Sequence, residues 1–247
     1  MVTKPVNISN CYDFFVEVRR RTLQLIDPLT PEDACAQSMP DASPAKWHLA
    51  HTSWFYETFI LENFEVNFSP HNKIFRDLFN SYYNGIGEQY PRDKRGLLTR
   101  PGLDEIQAYA QDITSRVLRL ESLGNIEVEG LIELGCHHEQ QHQELIIMDV
   151  KHLLSCNPLK PTYMNFPEET KLLNDSGWEK IEGGVHRIGN TTNDFSFDNE
   201  HPSHDTYFQA FEINKSLVSN REYLVFIENK GYESPEFWLA DGWSLIR

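Results

Sequence analysis

The segment His138–His142 has the residue types and spacing that most directly indicate chemistry. His138 and His142 are four residues apart, so on a helix they lie one turn apart on the same face, about 6 Å between Cβ atoms. At that spacing both imidazoles can bind one metal ion. The upstream segment Trp47–His51 holds two more histidines, of which His51 is the best third ligand. Three neutral nitrogen ligands with open coordination positions are typical of a catalytic metal site.

The other histidines near these positions are weaker candidates. Successive helical residues are rotated by about 100°. His137 would therefore point about 100° away from the pair, and His152, ten residues after His142, about 80° away. His48 lies on a line adjacent to His51, where it could be a ligand, could support a ligand or could face solvent. Imidazole ligands accept zinc, iron or copper, so the residue types leave the metal open.

The same string also matches the His-Glu-x-x-His pattern of zinc proteases. In that pattern two histidines bind zinc and the glutamate is the general base. Glu139 would then be the base of a zinc-dependent hydrolase. The pattern is short, and no Gly-x-x-His continuation follows it. A further alternative is a non-catalytic bundle, in which the histidines pack in a core or bind metal adventitiously.

A cluster of arginines lies in the segment 65–101, which has no sustained hydrophobic period. Arg92, Arg95 and Arg100 fall within nine positions of a chain whose formal net charge is -15. The cluster is either a solvated basic patch or a site for a carboxylate substrate, which arginine holds through two parallel hydrogen bonds. Tyrosines of the same segment could line such a pocket: Tyr82, Tyr83 and Tyr90.

Composition limits the classes of protein to which this chain can belong. Its 247 residues are 40% hydrophobic, which is enough for a core. An acidic chain repels phosphate backbones, so we expect no nucleic-acid partner. No apolar run approaches the roughly 20 residues that span a bilayer, so we expect no membrane partner. Four cysteines without a Cys-x-x-Cys pair indicate reduced thiols, and the first residues lack an apolar leader, so we predict a cytoplasmic protein.

The elements that must position the histidines are predicted to be helices. Apolar residues recur at helical spacing, and Ser43-Pro44 is a helix start signal. Four helices of this size indicate a bundle with the metal site between facing helices. Segment 65–101 reads as a long ordered loop, and loops of that length are usually functional. The predicted helices are 11–27, 44–64, 103–123 and 126–154.

The composition changes after the last of these helices. Residues 158–177 read as a linker, and residues 178–247 hold short β-like runs and turn residues. Within this region we predict a strand at 207–213 and a short helix at 219–228. A fragment of this size buries a limited fraction of its surface and is marginal alone. The domains are therefore a bundle with a metal site over 1–157, the linker, and the opening part of a second domain.

Three segments, taken together and in order, resemble signatures of the ergothioneine-biosynthesis sulfoxide synthases, a family of non-haem iron enzymes. The match covers nearly the whole chain, and its order and spacing are more specific than any single motif. The resemblance implies an α+β protein: an N-terminal DinB-like four-helix bundle, followed by an incomplete formylglycine-generating-enzyme-like (C-type-lectin-like) domain. The matching segments are 43–58, 78–87 with 92–101, and 138–145.

The resemblance also implies a cofactor and a reaction. Fe(2+) would be held by His51, His138 and His142. The enzyme would use dioxygen to join hercynine (Nα-trimethylhistidine) to γ-glutamylcysteine or cysteine, yielding a sulfoxide. A relative of the same class, the ovothiol-pathway synthase, joins cysteine to histidine, and segment 47–54 fits it less well.

Substrate-binding residues are implied by the same resemblance. Gln141 matches a position that helps to hold the hercynine carboxylate, and Arg92 and Arg95 resemble loop arginines that meet the carboxylates of the thiol substrate. In the family, the second domain continues beyond the position of Arg247 and supplies a catalytic tyrosine. We therefore expect a truncated protein in which the metal ligands are present and the catalytic tyrosine lies beyond the chain end. Whether such a chain is active is left open by the sequence.

Overall fold

The computed structural model describes residues 10–81, 83, 85–165, 177–192 and 194–247. The chain forms two compact units, 1–167 and 168–247. Residues 166–176 of the predicted linker lie outside the described residues, as does Tyr82. No helix among the described residues combines the length and the apolar character needed to cross a membrane.

The first unit is helical, and each of the four predicted helices is confirmed. Side-chain caps start two of them: Asn10 accepts a hydrogen bond from the Asp13 N–H at 2.8 Å, and Asn125 accepts one from the Glu127 N–H at 2.9 Å. The structure adds two short helices, at 31–35 and 75–78, that were not predicted from the sequence. The helices are α1 (Cys11–Ile26), α2 (Pro31–Cys35), α3 (Ala45–Tyr56), α4 (Glu62–Phe64), α5 (Phe75–Leu78), α6 (Leu103–Arg119) and α7 (Ile126–Cys156).

The second predicted helix is continuous but not uniform. After α3 the chain forms a π-helical turn, Glu57–Leu61, before α4 completes the helix. Such turns are rare and occur mostly inside longer helices. Segment 65–101 is largely irregular, as predicted, apart from α5 and the 3₁₀ turn Arg92–Leu97. A second 3₁₀ turn, Leu120–Leu123, follows α6.

The bundle packs around α3, which contacts both α6 and α7, while α1 lies along α7. Every residue of α3 is buried. The approach of α7 to α3 depends on Gly135, because a Cβ there would lie 2.4 Å from Cε1 of Tyr56. This close contact occurs one turn before His138 and therefore helps to set the distance between the two histidine-bearing helices.

The second unit contains two small antiparallel sheets and two helices, so the α+β class is confirmed. Strands β1 (Trp178–Ile181) and β4 (Phe211–Asn214) pair, as do β2 (Gly184–Ile188) and β3 (His204–Phe208). Two 3₁₀ turns, Gly231–Glu233 and Pro235–Phe237, separate its helices, and a third, Asp198–Glu200, precedes β3. The helices are α8 (Asn220–Glu228) and α9 (Ala240–Ile246).

The prediction of one continuous strand over 207–213 was wrong, because this segment is divided between two strands. The chain leaves one sheet after Phe208 and enters the other at Phe211. Gly183 marks the matching change of sheet between β1 and β2, and a Cβ there would lie 2.9 Å from the Ala210 nitrogen. The predicted helix at 219–228 is confirmed, with the Ser219 hydroxyl accepting a hydrogen bond from the Glu222 N–H.

Candidate metal centre

Three buried or half-buried imidazoles converge between α3 and α7. Among the described residues, His51, His138 and His142 form one group in which a ligand atom from each lies within 4.8 Å of the other two. The ring centroids are separated by 4.6 Å for His138 and His142, and by 4.7 and 5.1 Å from His51 to His142 and His138. The structure thus brings together the three residues that the resemblance implies as ligands.

One hydrogen bond fixes the ring of His51. Its Nδ1 lies 2.6 Å from the carbonyl oxygen of Phe79. A carbonyl can only accept, so Nδ1 carries the proton and Nε2 carries the lone pair. A backbone partner of this kind is a common way to orient a histidine ligand and fix its tautomer.

The electrostatic environment favours neutral imidazoles. Burial lowers the pKa of His138 to about 4. Burial also holds the pKa values of His51 and His142 well below the ordinary histidine range. Neutral imidazole is the form that binds a metal, so near pH 7 no proton has to leave these rings before coordination.

An unsatisfied buried nitrogen favours a metal ion at this site. Nδ1 of His138 is buried and has no hydrogen-bond partner among the described residues. Leaving such an atom unsatisfied costs about 1–3 kcal/mol. A divalent transition metal suits a donor set of three imidazoles, and coordination through Nδ1 of His138 would remove this cost. The residues therefore fit a metal ion.

Planar groups stack on both sides of His51. Its ring lies 4.7 Å from that of Trp47 at an interplanar angle of 11° and 5.4 Å from that of Trp54 at 13°. The guanidinium carbon of Arg95 in turn lies 3.4 Å from the Trp47 ring centroid. A ring held between two indoles cannot rotate freely, so the stack and the Phe79 hydrogen bond together restrain His51.

A cavity of about 400 Å³ opens beside the three rings. This volume lies in the range of small-molecule sites. The predicted substrate residues Gln141, Arg92 and Arg95 all line it, whereas Arg100 and Tyr90 are not among the described residues that do. The lining residues are Ser43, Trp47, His48, His51, Ser81, Tyr83, Arg92, Arg95, His138, Gln141, His142 and Leu145.

The two arginines are held differently. Arg95 is buried, and its guanidinium donates to the hydroxyls of Ser43 at 3.0 Å and Ser81 at 3.1 Å. Arg92 is exposed and donates to the carbonyl of Asp41. Arg95 is therefore a fixed positive charge in the cavity wall, and Arg92 is a more accessible one. Gln141 is exposed on α7, between the two histidines of that helix.

Glu139 faces away from the cavity. Its side chain is fully buried and accepts hydrogen bonds from Arg19 at 3.0 and 3.1 Å and from the Thr22 hydroxyl at 2.5 Å. Arg19 is also held by Thr52 and Ser53 on α3. A carboxylate bound in this way is not placed to act as a general base beside the histidines, which removes the chemical role that the hydrolase interpretation gives it.

Two features of the centre were not found by sequence reasoning. His48, left open between three roles, is buried and lies 2.8 Å from His142. Asp149, which lies 3.1 Å from His48, was not singled out at all. Its spacing of seven residues from His142 places it two turns along the same face of α7, and this was the signal available in the sequence.

The fold and the cluster define a class: a helical bundle that carries a group of three histidines able to hold a metal ion. The model of the DinB superfamily matches residues 15–146, and that of the sulfatase-modifying factor enzyme 1-like domain matches residues 167–245. The chain belongs to the DinB superfamily. Its second unit corresponds to the region that matches the sulfatase-modifying factor domain.

Similar proteins agree with the resemblance drawn from the motifs. The chain is 26% identical over 246 residues to the hercynine oxygenase of Mycobacterium tuberculosis, a match that covers 98% of this chain and 55% of that protein. It is 26% identical over 231 residues to the hercynine oxygenase of Mycolicibacterium smegmatis, covering 92% and 52%. The predicted likeness to the ergothioneine sulfoxide synthase family is thereby confirmed. The chain spans about half the length of the curated relatives it matches.

Proposed function

We propose that this chain binds Fe(2+) through His51, His138 and His142 and takes part in the oxygen-dependent joining of hercynine to a thiol, γ-glutamylcysteine or cysteine, to form a sulfoxide. The observation that carries the proposal is the convergence of three imidazoles within 4.8 Å beside a cavity. Similarity to hercynine oxygenases supports the choice of substrate.

The residues of the cavity suit this chemistry. The three imidazoles would hold a ferrous ion, which when bound supplies oxygen activation and open coordination positions. Both substrates carry carboxylates, for which the guanidinium groups of Arg92 and Arg95 are suitable partners. The side-chain amide of Gln141 can donate to a further carboxylate.

Holding two small molecules in one cavity lowers the barrier to their coupling, because encounter and orientation occur before the reaction. Arg95 is suited to this positioning role. It is already fixed by Ser43 and Ser81 and by the Trp47 ring, so little side-chain entropy is lost when a carboxylate binds.

The experiment is an anaerobic preparation of the full chain with Fe(2+), followed by addition of dioxygen with hercynine and either thiol. Sulfoxide is followed by mass spectrometry, and iron is quantified per chain. We expect one iron per chain, sulfoxide from hercynine, and loss of both in His51→Ala. The control is His152→Ala. The ring of His152 is hydrogen-bonded to the Ser38 hydroxyl away from the cavity, so this variant should leave iron content and sulfoxide formation unchanged.

The alternatives give different results in the same assay. Product from histidine rather than hercynine would indicate the ovothiol-pathway reaction. Zinc-dependent peptide cleavage that is lost in Glu139→Gln would replace the proposal with a hydrolase. Iron bound by the three histidines without any sulfoxide would retain the metal centre and reject the oxygenase activity for this chain.

A further inference from the structure

Two further buried side chains, His48 and Asp149, continue a series of hydrogen bonds that starts at Nδ1 of His142. Nδ1 of His142 is 2.8 Å from Nδ1 of His48, and Nε2 of His48 is 3.1 Å from Oδ2 of Asp149. All three residues are at most 8% exposed. His48 belongs to α3, whereas His142 and Asp149 belong to α7. These hydrogen bonds therefore join the two helices that carry the proposed ligands.

The direction of these hydrogen bonds follows from the acceptor at the end. Oδ2 of Asp149 also accepts a hydrogen bond from the backbone N–H of Ser43 at 2.9 Å, which marks it as an acceptor. Nε2 of His48 must then donate to it. In its neutral form the imidazole of His48 has one N–H, so Nδ1 of neutral His48 is an acceptor. The proton between the two histidines therefore belongs to Nδ1 of His142.

The consequence for His142 is a single tautomer. With its proton on Nδ1, its lone pair lies on Nε2, where it can bind a metal while the hydrogen bond to His48 remains intact. If the directions were reversed, Nδ1 would be occupied as an acceptor and Nε2 would carry the proton. The ring could then bind a metal only after losing either the hydrogen bond or the proton.

We infer that His48 and Asp149 are positioning residues that hold His142 with its proton on Nδ1 and its lone pair on Nε2. This inference rests on the proposed metal site. It gives His142 the support that His51 obtains from the Phe79 carbonyl, through an imidazole and a carboxylate instead of the backbone. Removing partners of this kind typically costs 10–100-fold in metal affinity.

The first test needs no substitution and no metal. The full chain is labelled with ¹⁵N at histidine, and long-range ¹H–¹⁵N correlation spectra are recorded on the metal-free protein near pH 7. We expect the ring signals of His142, assigned by their absence in His142→Gln, to show the proton on Nδ1. A proton on Nε2 of His142 would overturn the inference.

The second test compares two replacements of His48. His48→Gln keeps an amide oxygen that can accept from His142 and an amide group that can donate to Asp149. His48→Phe keeps a ring of similar size but removes both hydrogen bonds. We expect Fe(2+) affinity, with Co(2+) absorption as a spectroscopic probe, to fall 10–100-fold in His48→Phe and to be largely restored in His48→Gln.

The matched control is His152→Phe, which makes the same change on α7 away from the cluster. It should bind metal like the unmodified chain. Equal metal affinity in His48→Phe and the unmodified chain would overturn the inference, as would equal losses in His48→Phe and His48→Gln, because packing alone would then explain the role of His48.

The two proposals fail separately. If the unmodified chain binds neither Fe(2+) nor Co(2+), the proposed function is rejected, while the ¹⁵N spectrum still decides where the His142 proton lies. If His48→Phe does not fold, as judged by circular dichroism, the spectrum of the unmodified chain decides the inference. A chain that binds metal but carries the His142 proton on Nε2 retains the proposed function and loses only this inference.

Discussion

The two units bury their apolar residues to very different extents. In the helical unit, Trp47 and Trp54 are at most 3% exposed. In the second unit, Gly231 is the one buried position among the described residues, whereas Trp178 is 64% exposed and Leu245 is 87% exposed. The sequence supplies large apolar side chains to both units, so composition alone does not account for the difference.

The contrast lies in the number of elements that pack together. Long helices in the first unit cover one another on several sides, whereas each sheet of the second unit has two strands, and isolated two-stranded pairs are marginally stable in water. The candidate metal site lies in the unit with the core. The positions of rings can be fixed to fractions of an ångström only where close packing leaves each side chain a single conformation.

Amide hydrogen exchange should show the largest difference. We expect amides in the middle of α7 to exchange roughly 1,000-fold or more slowly than those of β1 to β4, because local opening is cheapest where few apolar contacts are lost. The measurement is exchange followed by peptide mass spectrometry on the full chain. Equal protection of the two regions would mean that the second unit has a stabilising core that its exposure does not show.

The buried ion pair should have the next largest effect. Arg19→Met leaves Glu139 charged and buried without its partner, for which we expect a loss of about 3–5 kcal/mol in unfolding free energy. The neighbouring Arg20 pairs with Glu17 at the surface, where water screens the charges, so Arg20→Met should have a much smaller effect. Chemical denaturation compares the two. Similar losses would show that burial does not set the strength of ion pairs in this unit.

Two glycines of α7 give a matched pair of smaller effects. Gly135→Ala places a methyl group against Tyr56 and should destabilise the protein by about 1–3 kcal/mol. Gly130→Ala meets nothing within 4 Å and should stabilise it by up to about 1 kcal/mol, because alanine favours the helix. Thermal unfolding measures both. Opposite signs are the expected result, and the same sign would show that α7 does not closely approach α3 at Gly135.

The smallest predicted effect is a difference in the rates at which the cysteines react. Thiol labelling reports only on the helical unit, which contains all four cysteines. Burial raises the pKa of Cys11 to about 11, so its reactive thiolate is scarce near neutral pH. Its alkylation rate should rise about tenfold per pH unit between pH 7 and 9. Cys156 is exposed and should react first. A Cys11 rate that levels off below pH 9 would contradict the shift.

The helices could be predicted from the sequence because their signals are local. Apolar periodicity located α1, α6 and α7, and the Ser43-Pro44 signal located the start of α3. The π-helical turn and the break between β3 and β4 could not be predicted, since both depend on packing between segments that are distant in sequence.

The site was predictable in part for the same reason. His138 and His142 share one helix, so their spacing alone placed them together, and His51 was added by the order of motifs along the chain. The roles of His48 and Asp149 depend on the rotation of α3 against α7. That rotation follows from contacts such as Tyr56 against Gly135, which no single-segment pattern contains.

The column of Arg95, Trp47, His51 and Trp54 gives the centre an optical reporter of its own. Indole emission responds to charges and quenchers within a few ångströms, and here two indoles touch one ring of the cluster on opposite faces. The remaining tryptophans all belong to the second unit, so substituting them would leave emission from the helical unit alone. Metal binding to the cluster could then be followed by tryptophan fluorescence, without any added label.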